Sequence, residues 1–359
     1  MKRIKNIGLF AAALVLSCGM KAQDPNYSQF LNVPMYYNPA YTGLYTGVRA
    51  RFAFRDQWPS LPYDFKAYHF SADMGNRSLP GSGGVGLLFN TDNEGIGFIR
   101  NFNMGVAFSV RIPFSSFMIG QLGVKASWLQ KKVNWEDFVF SDELSERYGN
   151  VNATEFQHPD RNTVNMADFG LGGIIQFADG TGAMSGTAGF AIDHLFEPDQ
   201  SFLQTKKAPL PRKYVAHADL IFAVGGSSGF TTTDEDALKI GPGVFYQSQG
   251  GLNSVMAGLN LTKFGIYTGF WYKGSFGSYS NGAMVFMAGY RYIFAENMGL
   301  KFTYSYDMQL TGALQGTGGA HEVTLVLELG GLGGLGGGGT PRFTRGRGGY
   351  DSRLECSEF

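Results

Sequence analysis

Between Val48 and Leu327 one unit recurs: about ten residues in which apolar or aromatic side chains alternate with polar or small ones, then a turn of Gly, Asn, Asp, Ser or Pro. Val48, Ala50, Phe52 and Phe54 interleave with Arg49, Arg51 and Arg55, and Met104, Val106, Phe108, Val110 and Ile112 interleave with Asn103, Gly105, Ala107, Ser109 and Arg111. A period of two belongs to strands whose faces meet different surroundings. The pattern runs without a composition break, so the chain reads as one large all-β unit rather than several domains. Fourteen such segments can be drawn, from Leu44-Asp56 to Ala320-Leu327, and an even count suits a single-chain transmembrane antiparallel β-barrel.

Composition agrees. Charged residues make up 16% of the chain, against roughly 25% in soluble domains, which fits a surface that meets outer-membrane lipid. Aromatics at 15% suit strands and membrane interfaces, and 52 glycines suit turns and barrel corners. No stretch after the first residues approaches 18 apolar residues in a row, so a membrane protein of this sequence crosses as a barrel.

Residues 1-22 carry Lys2, Arg3 and Lys5, an apolar run from Ile7 to Leu16 and a small-residue end at Ala22, the pattern of a secretory signal peptide. A lipoprotein reading with Cys18 acylated competes, although Leu16 fits poorly beside that cysteine. Cleavage after Ala22 removes four of the 29 basic residues and none of the 29 acidic ones, leaving no basic excess to attract nucleic acid. With only Cys18 and Cys356, no disulfide framework is available. Four parts follow: signal peptide 1-22, N-terminal segment 23-43 (a plug or a periplasmic arm), barrel 44-328, and a Gly/Arg-rich tail 329-359. That tail, with Arg342, Arg345, Arg347 and Arg353, cannot build a core and is expected on the periplasmic side.

Loop lengths give the orientation. With the N-terminus inside, the long connections Lys131-Val164, Leu195-Arg212 and Gln309-Gly319 fall outside, while Pro113-Ser116, Asp179-Gly182, Lys263 and Ile293-Glu296 make short inner turns. Ser227-Asp236 and Gly75-Ser82 are longer inner turns than this pattern prefers.

Catalytic chemistry is not evident, and no catalytic, cofactor or metal residues are assigned. Gly331, Gly333 and Gly336 match Gly-x-Gly-x-x-Gly but sit in low-complexity sequence with no helix to follow. His69, His158, His194, His217 and His321 are scattered without metal-site spacing. Ser185 sits one residue late for a nucleophile elbow. Two groups stand out as binding candidates. Glu136, Asp137, Asp142, Glu143 and Glu146 gather in the longest outer loop, either as a solvated face or as a docking surface. Arg49, Arg51 and Arg55 share one face of the first strand; facing lipid would cost ~2–4 kcal/mol each at mid-membrane, so they are expected in the lumen, paired with carboxylates or lining a pore.

Several segments also resemble a known family. Gln23-Asp24-Pro25-Asn26-Tyr27-Ser28-Gln29-Phe30, Pro34-Met35-Tyr36-Tyr37-Asn38-Pro39-Ala40-Tyr41-Thr42-Gly43, Arg55-Asp56-Gln57-Trp58, Asp193-His194-Leu195-Phe196-Glu197-Pro198, Tyr304-Ser305-Tyr306-Asp307 and Gly318-Gly319-Ala320-His321-Glu322-Val323 are similar in kind and order to the PorP/SprF proteins of type IX secretion and gliding motility in Bacteroidota. The Gly-rich tail departs from that pattern, although Cys356 ahead of Phe359 is similar to its ending. The resemblance implies an outer-membrane barrel that is not an enzyme and that anchors or helps secrete a cell-surface gliding adhesin through that adhesin's C-terminal domain. Its partners would be the adhesin outside and periplasmic components of the machinery inside. A pore for small solutes is the alternative. Trp58 is expected in the aromatic girdle.

Overall fold

The computed structural model describes residues 24–45, 47–62, 65–75, 82–94, 99–115, 117–145, 147, 149–179, 181–203, 205–224, 237–276, 281–295, 298–311 and 315–330. Residues 1–23, on which the expected signal peptide and Cys18 fall, residue Glu146, residues 76–81 and 225–236, and the Gly/Arg-rich tail from 331 lie outside the described residues.

Each predicted strand has its counterpart. They are β1 (Gly47–Gln57), β2 (Phe65–Gly75), β3 (Ser82–Glu94), β4 (Ile99–Ser115), β5 (Met118–Val133), β8 (Thr163–Ala178), β9 (Met184–Asp193), β10 (Lys213–Val224), β11 (Leu238–Gln249), β12 (Leu252–Lys263), β13 (Ile266–Phe276), β14 (Asn281–Ala295), β15 (Met298–Gln309) and β16 (Ala320–Leu329), while β6 (Leu144–Ser145) and β7 (Gly149–Asn150) form a small hairpin between β5 and β8. The fourteen long strands close into one antiparallel barrel, with β1 pairing β16 as well as β2. Closure leaves no edge in this sheet, which satisfies every ladder position inside a bilayer.

Alternation sorts the faces as the sequence implied. Along β4, Met104, Val106, Phe108, Val110 and Ile112 are exposed, whereas Gly105, Ala107, Ser109 and Arg111 are buried. Phe70, Leu87, Leu122, Phe169, Phe190, Phe270, Phe286 and Phe302 continue the exposed apolar belt around the barrel. A soluble protein of this size would hide such a surface, and a lipid-facing one requires it.

The two longest connections, residues 134–162 and 194–212, rise at one rim, hereafter the outer one; Phe264-Gly265 links two strands at the opposite rim. Several boundaries shift from expectation, and two of the shifts bear on the plug and the tail. The first strand begins at Gly47 rather than Leu44, because Thr42, Gly43 and Leu44 are still buried inside the barrel. The last strand runs through Leu329, so the tail begins beyond it.

Candidate functional site

The barrel is not hollow. Residues 24–44 run through the lumen from the outer rim to the inner one, and all but four of them are buried. Between the plug and the arm foreseen for this segment, the structure is a plug. Pro34 starts a one-turn helix, Pro34–Tyr37, and Asn38 accepts a hydrogen bond from the Ala40 N–H to cap the 3-10 turn Pro39–Tyr41. Tyr27, Phe30, Tyr36 and Tyr37 form its apolar body: Phe30 packs on Phe245 and Trp271 at ring distances of 4.7 and 5.3 Å, and Tyr37 packs on Phe245 at 4.8 Å. Such aromatic pairs add ~0.5–1.5 kcal/mol each beyond burial.

Polar locks fix the plug at three levels. At the outer rim the Asp24 carboxylate lies 2.6 Å from Lys213 Nζ and 3.0 Å from His194 Nε2, and its N–H donates to Gln249. His194 Nδ1 lies 3.0 Å from Asp168, and Lys125 lies 2.7 Å from Asp193 beside them. At mid-height the backbone N–H groups of Ser28 and Gln29 donate to the two oxygens of Glu322 at 2.9 and 3.0 Å. Arg55 completes this level, donating to Glu322 at 2.9 Å and to Asp307 at 2.8 Å, while Ser28 Oγ donates to Asp307 at 2.6 Å. Near the inner rim the Gly43 N–H donates to Asp73, itself paired with Arg51, and the Thr42 carbonyl accepts from Ser109 and Gln121.

The wall is shaped for this body. A Cβ on Gly172 would stand 2.0 Å from Asn38 Oδ1, and one on Gly123 would stand 2.4 Å from the Ala40 nitrogen. Only glycine lets the plug's tight turn lie against the strands there.

Arg49, Arg51 and Arg55 therefore face the lumen as predicted, and all three are paired, with Glu328, Asp73 and the Asp307–Glu322 couple respectively. Their partners carry no local sequence signal, since Arg55 and Glu322 stand 267 positions apart. The segments that resembled a family meet at these locks: Ser28 and Gln29, Arg55, Asp307 and Glu322 form the middle one, and Asp24 with Asp193 and His194 the outer one. A family model for "Type IX secretion system membrane protein PorP/SprF" matches residues 19–327. The chain belongs to the PorP/SprF family.

No curated protein matches the chain. Solved barrels similar to this PorP/SprF member include the CymD monoaromatic hydrocarbon channel, at 11% identity and a TM-score of 0.42 over 83% of this chain and 91% of the channel. The Ralstonia pickettii toluene transporter TbuX is similar at 11% identity and a TM-score of 0.44, over 83% of this chain and 92% of the transporter.

In this PorP/SprF barrel the plug separates two vestibules. The outer one holds about 330 Å³ and is lined by carboxamides such as Gln57, Gln247 and Gln309, with charge balanced between Asp24, Asp307, Arg55 and Lys273. The inner one holds about 290 Å³. Trp58 lines the outer vestibule, half-buried and edge-on to Phe65 at 5.2 Å, rather than standing in the lipid girdle. Its φ of 63° turns the chain inward past the end of β1, which explains the difference.

The acidic loop residues are brought together only in part. Asp142 is a staple of its own loop, accepting from the Glu155 N–H at 2.7 Å and from Thr154 Oγ1. Those hydrogen bonds, the one from Glu155 first, hold its carboxyl below the ordinary value. Glu143 accepts from the Phe140 N–H, Asp137 from Asn134, and Glu136 is exposed. What fixes this loop was not read from the sequence. Trp135 packs with Phe138 and Phe156 of its own loop and with Phe202 of the next one, at 5.7 Å, so the two long loops form one platform.

The outer lock has a definite pH window. Burial disfavours charge on Asp24, but Lys213 and His194 outweigh it and hold the carboxyl well below its usual 3.8. Burial likewise opposes charge on His194, and Asp24 and Asp168 overcome it, raising the imidazole from 6.5 to about 9. A raised folded-state value stabilises fully below 6.5 and fades as pH climbs through about 9. A depressed carboxyl stabilises above 3.8 and fades as pH falls below it. Deuterium uptake around Asp24, corrected for intrinsic exchange, is expected to be slowest between pH 3.8 and 6.5 and to rise on both sides. Asp24→Asn should raise uptake within that window and flatten the profile; an unchanged profile would remove the lock from this account.

Proposed function

We propose that this barrel is a non-enzymatic outer-membrane anchor, holding the C-terminal domain of a secreted gliding adhesin at its outer loops while its inner rim meets periplasmic components of the type IX machinery. The observation that carries this reading is the locked plug. A lumen filled by residues 24–44 and fixed by family motifs serves as a rigid frame rather than a conduit, which weighs against the solute pore. The joined outer loops add support, because Val139, Leu144, Val151, Phe196 and Leu203 stay exposed on them beside Glu136 and Asp137. Exposed apolar side chains on loops that also carry charge suit a protein-docking surface.

Affinity purification of the intact protein in mild detergent tests the anchor directly: a secreted adhesin and periplasmic motor components are expected with it, and recovery of neither contradicts the proposal. Removing 134–162 should then abolish adhesin retention on cells while leaving a heat-modifiable barrel. Unchanged surface display after that deletion would shift the contact to another loop.

A further inference from the structure

The outer vestibule is polar without demanding charge. Each charged residue of its described lining is answered within the wall or the plug: Arg55 by Asp307 and Glu322, Asp24 by Lys213 and His194, and Lys273 by Ser28 Oγ and the Asn26 carbonyl, both at 3.1 Å. An ionic ligand therefore finds no unpaired charge there.

The uncharged groups are less well supplied. Gln247, near the outer end of β11, is 6% exposed, yet its Oε1 accepts no hydrogen bond among the described residues. Gln309, which ends β15 beside the same cavity, has no side-chain partner among them either. Trp58 adds a buried indole N–H that finds no acceptor among the described residues. Its ring is nevertheless fixed, because the Trp58 backbone N–H donates to the Gly319 carbonyl at 2.7 Å and Phe65 packs edge-on. A left-handed residue such as this one persists only where its surroundings enforce it, and such residues gather at binding sites.

Buried polar groups of this kind cost free energy until a ligand supplies what they lack. Here Gln247 Oε1 lacks a donor and Trp58 Nε1 lacks an acceptor. A sugar hydroxyl is both. Among the described lining residues only Trp58, Leu252 and Ala283 offer apolar side chains, so an apolar solute or an apolar peptide gains little. The closed sheet also has no free strand edge to which an extended peptide could add. At about 330 Å³ the space falls within the roughly 300–1,000 Å³ of small-ligand sites. The plug closes its floor, so what enters is held rather than passed on.

We propose that the outer vestibule binds the terminal units of a neutral saccharide chain, with Gln247 and Gln309 pairing with its hydroxyls and the Trp58 indole N–H donating to a further oxygen. Such binding requires neither an adhesin nor a conduit, so it stands independently of the anchor.

Probing an array of neutral and acidic oligosaccharides with the intact protein in mild detergent tests the site. Neutral chains are expected to bind, and acidic chains of the same length to bind less. Calorimetric titration with the best neutral oligosaccharide should then show about tenfold weaker binding to Q247A/Q309A, since two hydrogen bonds are lost. If the double variant loses its heat-modifiable fold, Gln309→Ala alone serves, together with Trp58→Phe, which keeps a ring and removes the N–H; each is expected to weaken the sugar several-fold. Absence of neutral-sugar binding, equal binding of acidic sugars, or unchanged affinity in the variants overturns the proposal. So does hexaglycine binding as tightly as the sugar, because the carboxamides would then be reading peptide groups.

Discussion

Replacing Glu322 with alanine is expected to destabilise the barrel by about 3–5 kcal/mol, the cost of breaking one side of a buried ionic cluster. Three donors converge on this carboxylate: the N–H groups of Ser28 and Gln29 and the Arg55 guanidinium. Each buried N–H left without an acceptor costs ~1–3 kcal/mol, and Arg55 would keep only Asp307 as a carboxylate partner in this cluster. Glu322→Gln retains an acceptor oxygen and should lose less. Urea titration in detergent, read by the heat-modifiable gel band, measures both, and protease sensitivity near Ser28 reports whether the plug has left its seat. A loss below about 1 kcal/mol for the alanine variant would mean that the plug is held by its aromatic body alone.

The second large effect concerns sealing. Gly172→Val is expected to push the Asn38–Ala40 turn off the wall, since even its first added carbon would stand 2.0 Å from Asn38 Oδ1. In planar bilayers the unaltered protein should be nearly silent, and the valine variant should show open events that raise mean conductance at least tenfold. Gly173→Ala is the matched control, because the nearest contact of its added carbon is the flexible end of Leu122 at 3.2 Å. Steady conductance of the unaltered protein would favour the solute pore over the anchor, whatever the variant does.

Much of the fold was legible because a bilayer imposes a rule the sequence cannot hide. Every residue of β4 from Met104 to Ile112 declares its face, and lipid cost alone sends Arg49, Arg51 and Arg55 inward. The plug was harder to read. Residues 23-43 follow no period, so plug and periplasmic arm remained equal until their partners were seen. Those partners were hidden for a physical reason, since barrel closure brings Arg55 against Asp307 and Glu322 across most of the chain. Trp58 misled because strand-end aromatics ordinarily face the interface, and a left-handed residue reversed this one. The loop platform escaped notice because Trp135, Phe156 and Phe202 lie on irregular segments, where spacing carries no directional information.

Arg55 sits on β1, Glu322 on β16 and Asp307 on β15, so the middle lock straddles the junction where the first and last strands meet. That junction joins the two ends of the sheet, and Ser28 and Gln29 contact it from inside the barrel. The N-terminal segment thus acts as a clasp whose hydrogen bonds hold the seam from within. A chain that closed without it would leave Arg55, Asp307 and Glu322 short of the two N–H donors and the hydroxyl that Ser28 and Gln29 supply. A filled barrel is in this way distinguished from an empty one by the polar partners at its seam.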